Sequence, residues 1–88
     1  MLQTYQQSKQ LAFFKIRVPK DEAYFVYFTF ESHEGLCYYS TDDDSLKGTY
    51  RDILTWTPIE LKKDLENLLS LFQTQFRLDI LETSIISD

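Results

Sequence analysis

The sequence predicts one α+β domain: a ferredoxin-like β-α-β-β-α-β two-layer sandwich with antiparallel sheet order 4-1-3-2. Three observations point there. The chain has 88 residues, which suits one domain. Four short runs show the alternation or the aromatic and β-branched content of strands. Two longer runs space their apolar residues three and four apart, as helices do, and they follow the first and third strand runs. The usual solution for this order is a four-stranded sheet with right-handed crossovers and both helices on one face.

Each element has its own signal. Residues 1–10 are polar and Gln-rich and read as a flexible N-terminal tail; 11–82 read as the single domain and 83–88 as a C-terminal tail in which Ile85 and Ile86 can dock. Residues 11–18, LAFFKIRV, alternate between Ala12, Phe14, Ile16, Val18 and Leu11, Phe13, Lys15, Arg17, a half-buried strand stopped by Pro19. Residues 20–34 have strand-like composition but helix-like ends. Asp21 and Glu22 suit a helix N-terminus, and Gly35 followed by Leu36 resembles a helix stop. At about 100° per residue, Ala23, Val26, Tyr27 and Phe30 share a face, Tyr24 and Phe28 widen it, and Phe25 points away. A helix is expected there.

Residues 36–41 and 50–56 read as an antiparallel hairpin across the turn DDDSLKGT, where Gly48 permits φ > 0. Both alternating sets of the second strand contain apolar residues, so its buried face stays open. Thr57-Pro58-Ile59-Glu60 fits a capping box with Pro at the first helical position, ahead of Leu61, Leu65, Leu68, Leu69 and Phe72. That helix is expected to reach Thr74, with a last strand over 77–81.

Composition excludes several functions. Nine Lys and Arg stand against fourteen Asp and Glu, a net charge of −5. Such a chain repels phosphate backbones and anionic membrane surfaces, so neither nucleic acid nor membrane is an expected partner. The one cysteine, Cys37, rules out an internal disulfide and fits a reducing compartment. The first ten residues lack a signal peptide's apolar run, and no run approaches the ~18 residues of a membrane span. A cytoplasmic location is expected. Seven Phe, six Tyr and one Trp provide for a core without disulfide or metal.

The sheet face opposite the helices carries the expected function. Phe13, Lys15 and Arg17 should lie on it, joined by Tyr38 or Tyr39, Trp56 or Ile53, and Leu81. An aromatic sheet face on an acidic chain suits packing against protein, including a second copy. Glu31 falls inside the helical apolar arc near Tyr24, Tyr27 and Phe28. It either reaches the edge or is desolvated, with Arg51 or a tyrosine hydroxyl as partner.

Other clusters have simpler readings. Glu31, His33, Glu34 and Cys37 are ligand types without a zinc spacing, and Asp42-Asp43-Asp44-Ser45 lacks the alternation and distal Glu of a calcium loop. Cys37 reads as a packed thiol. A single His and two Gly leave no catalytic triad and no phosphate loop. No metal and no cofactor are expected.

Val18-Pro19, Glu31-Ser32-His33-Glu34-Gly35-Leu36, Ser40-Thr41 before acidic residues, Tyr50-Arg51-Asp52-Ile53 and the Leu-rich helix make residues 13–80 resemble a family of small bacterial proteins of unknown function. The resemblance implies a stand-alone domain and no particular activity or site. The expected function is a non-enzymatic binding or regulatory module. It would self-associate, or dock a protein partner, through its sheet, with Phe13, Glu31, Tyr38, Tyr39, Arg51 and Trp56 as candidate ligand or interface residues. The rival is a small-molecule binder or enzyme using Glu31 with Tyr24, Tyr27 or Tyr38 as acid-base groups. A third reading, an RNA-binding relative, is opposed by the charge.

Overall fold

A computed structural model describes residues 10–42 and 48–87 of the chain. In order come β1 (Gln10–Pro19), a 3-10 turn (Lys20–Glu22), α1 (Ala23–Ser32), β2 (Tyr38–Thr41), β3 (Tyr50–Pro58), a second 3-10 turn (Ile59–Leu61), α2 (Lys62–Gln73) and β4 (Asp79–Ser87). The strands form one open antiparallel sheet in the order β2-β3-β1-β4. Both helices share a single core with one of its faces. The α+β class expected from the sequence is the class the chain adopts. Of the expected tail over residues 1–10, Gln10 belongs to β1 and residues 1–9 lie outside the described residues, as do residues 43–47 of the acidic turn.

β1 is the central strand, and its alternation decides the layers. Ala12, Phe14, Ile16 and Val18 are buried under the helices, while Leu11, Phe13, Lys15 and Arg17 lie half-buried on the other face. In β3 the buried set is Ile53, Thr55 and Thr57, which settles the face left open by the sequence. The Thr55 hydroxyl is satisfied by the Phe14 carbonyl at 2.9 Å.

The aromatic run after Pro19 coils despite its strand propensity because a period of 3.6 puts Ala23, Val26 and Phe30 on one buried face. Burying Val26 and Phe30 stabilises the helix by roughly 1.5–3 kcal/mol each. Thr29 and Ser32 turn their hydroxyls back onto the carbonyls of Phe25 and Phe28, at 2.7 and 2.9 Å. Phe25 does not point away from everything: its ring meets Phe72 and Phe76 of the α2 side at 5.8 and 6.3 Å.

Four further sequence expectations are corrected. Gly35 does not stop α1, which ends at Ser32. It sits instead in the following turn, closed by the Leu36 N–H to the His33 carbonyl at 2.9 Å, and takes φ 81° there. Gly48 does not use a positive φ; a Cβ on it would sit 3.2 Å from the Tyr50 ring. The capping box does not form. β3 runs on to Pro58, neither 3-10 turn nor α2 has a side-chain cap, and Thr57 donates to the Leu36 carbonyl at 2.6 Å. The ladder to β1 holds Thr57 extended, and its hydroxyl is committed to that carbonyl in a buried place.

The fourth correction is largest. Residues 83–87 are not a tail but the greater part of β4, which pairs with β1 from Gln10↔Ser87 to Arg17↔Asp79 with a register shift between Lys15 and Ile16; Asp88 lies outside the described residues. β1 has backbone groups to satisfy along its second side, and this segment satisfies them. Among the described residues, no helix is long and apolar enough to cross a membrane.

Candidate functional site

The register sorts the candidate residues between two faces of the sheet. Tyr38 pairs with Trp56, and Trp56 pairs with Phe13, so an aromatic row crosses the face away from the helices. The Phe13 and Trp56 rings are 5.6 Å apart and tilted by 46°. Tyr38 is 73% exposed at the β2 end of the row. Beyond this row the face becomes charged. Lys15 lies 3.5 Å from Asp42, and Arg17 grips the buried Asp52 through Nε at 2.7 Å and Nη2 at 3.0 Å. The Arg17 guanidinium stacks over Tyr50 at 3.9 Å. Its two hydrogen bonds hold the Asp52 carboxyl below the usual range. This cluster was not singled out from sequence, since its parts are 35 positions apart and only the register joins them.

Tyr39 and Ile53 lie on the opposite face, under α1. There the Tyr27 and Tyr39 rings stack at 5.2 Å and 14°, and the Tyr27 hydroxyl is hydrogen-bonded to Thr41. Tyr39 donates its hydroxyl proton to Glu31. That bond, aided by burial and the carboxylate charge, pushes the Tyr39 phenol up to about 12. Of the two positions open to Glu31, the structure has the edge: its side chain is exposed, and the tyrosine is its partner. Arg51 instead donates to the backbone carbonyls of Gly48 and Tyr50, at 3.2 and 2.9 Å. A phenol whose pKa is raised keeps its proton near neutrality, so Tyr39 is poorly arranged for acid-base work there.

The remaining reactive side chains are arranged structurally. Burial pushes the Cys37 thiol up to about 11, which leaves little thiolate near neutral pH. His33 sits beyond the last turn of α1 with Nδ1 2.9 Å from the Thr29 carbonyl. Among the described residues, no three His, Cys, Asp or Glu side chains gather as a metal site would require.

The feature that the sequence reading missed is the sheet edge. β4 is nine residues long, and every residue in it after Asp79 is exposed. Ile80, Leu81, Ile85 and Ile86 are each between 42% and 47% exposed. The opposite edge, β2, has four residues. No family model, no curated protein and no solved structure matches the chain.

Proposed function

We propose that this chain is a small binding or regulatory module, without catalytic function, that self-associates by pairing β4 with the β4 of a second copy. We place it in the ferredoxin-like class; the strand order, read 4-1-3-2 from the β4 edge, and the antiparallel pairing support that reading. The observation that carries the self-association is the unprotected edge. Residues 83–87, TSIIS, contain no charge and no Pro, the devices that usually blunt such edges.

A second copy is the occupant that the chemistry favours. Two like strands pair antiparallel about a two-fold axis. With that axis through Ser84, Thr83 lies beside the partner's Ile85, and Glu82 lies beside the partner's Ile86. The two Glu82 carboxylates are then about 14 Å apart along the strand, beyond the ~10 Å screening length at moderate salt. Residues 83–87 of that edge thus set no charge of one acidic copy against the other. The net charge of −5 supports a partner other than nucleic acid.

Sedimentation velocity from micromolar to millimolar concentration tests this. The wild type should pass from monomer to dimer. Ile85→Lys should remain monomeric with an unchanged melting temperature, because Ile85 is outside the core. A monomer throughout the range, or a dimer indifferent to Ile85→Lys, would overturn the proposal.

A further inference from the structure

Between the turn that follows α1 and the flank of α2 runs a groove of about 480 Å³. Its floor is leucine: Leu36, Leu61, Leu68 and Leu71. One carboxylate stands on each wall, Glu34 from the turn and Asp64 from the first turn of α2. Among the described residues, no Lys or Arg lines it. Leu71, 54% exposed, does not complete the core; it extends the apolar surface outward. On the same layer α1 leaves Tyr24 and Phe28 largely exposed, so this helix is apolar on its outer as well as its inner side. A helix apolar all round is normally covered.

We infer that this groove docks a cationic amphipathic helix from a partner protein, with an aliphatic stripe on the leucine floor and flanking Lys or Arg beside Glu34 and Asp64. A groove floored by apolar side chains between helical elements accepts a further helix as a ridge. From Leu61 to Leu71 the floor is about 15 Å long, which matches about three helical turns. The acidic walls choose the sign of the flanking charges. They also disfavour a second copy, whose net charge of −5 would bring acid against acid. This inference does not depend on the β4 edge.

The probe is a dye-labelled synthetic Leu/Lys amphipathic peptide of four turns, followed by fluorescence anisotropy, beside the same peptide with every Lys replaced by Glu. The Lys peptide should bind wild type in the micromolar range, and the Glu peptide should not. Glu34→Lys with Asp64→Lys, and separately Leu71→Asp, should each weaken binding by at least about tenfold. Asp21→Lys, which reverses a charge before α1 and outside the groove lining, should leave it unchanged. All four positions are exposed, so melting curves should show each variant folded. Binding of the Glu peptide, absence of binding by the Lys peptide, or equal weakening by Asp21→Lys would overturn the inference.

Discussion

Tyr39 illustrates how one contact reshapes a residue. Its phenol donates to Glu31, so losing the proton would break that bond and set two negative charges together. The neutral form is favoured in the fold, and the pKa rises from 10.0 to about 12. The stabilisation that this confers is present below the ordinary tyrosine pKa and is lost as pH climbs from about 10 through about 12. An ultraviolet titration of tyrosinate should therefore contain a late step near 12 that Tyr39→Phe removes. Glu31→Gln should move that step back toward 10, and a titration blind to Glu31→Gln would sink the assignment. Asp52 follows the opposite sign. Its lowered pKa confers stability that is present above the ordinary carboxylate range and lost on acidification, because protonation surrenders the Arg17 fork.

The entry to α2 shows a local pattern overruled by a neighbouring element. Thr-Pro-Ile-Glu is a capping sequence, but Thr57 is already committed to the β1 ladder and to the Leu36 carbonyl. The two residues of the pattern should thus behave differently. Thr57→Val leaves that carbonyl unsatisfied in a buried place and should cost about 1–3 kcal/mol in urea denaturation. Glu60→Ala should change stability by less than about 0.5 kcal/mol, since Glu60 is exposed and caps nothing. Equal losses of about 1 kcal/mol at both positions would instead signal a working capping box. α1 was legible because burial at a helical period outweighs the strand propensity of its aromatics. Its stop was misplaced because Gly35 serves the next turn, a distinction of two positions that pattern alone does not resolve.

At the scale of the molecule, one ring ties the helical layer together. Phe72 of α2 lies 5.8 Å from Phe25, 6.1 Å from Phe30 and 5.5 Å from Phe76, with almost no exposure. A domain of this length is stable by only about 4–13 kcal/mol. Phe72→Ala should remove about 3–5 kcal/mol of that, leaving a marginal fold. Phe28→Ala, at a ring 69% exposed, should remove less than about 1 kcal/mol. Comparable losses in the two variants would mean that the outer surface of α1 is covered after all. The same layer bears the leucine groove, and the sheet bears the β4 edge, so the two proposed contacts occupy different parts of the fold and can be disabled separately.

Periodicity and composition were enough for the α+β class, for the buried alternates of β1, for the inward face of α2 and for Ala23, Val26 and Phe30 of α1, but Tyr24 and Phe28, expected to widen that α1 face, are exposed. Those features follow from which side chains avoid water at a period of two or 3.6, and neighbours in sequence carry that information. They were also enough to place Phe13 and Arg17 on the sheet face away from the helices. Contacts between distant segments decided the rest. The choice of Trp56 over Ile53 and Tyr38 over Tyr39 for that face, the grip of Arg17 on Asp52, the refusal of Thr57 to cap and the extension of β4 to Ser87 all come from strand register. Register is a property of two segments at once: a backbone hydrogen bond or a buried hydroxyl takes whichever partner the assembled sheet brings within reach.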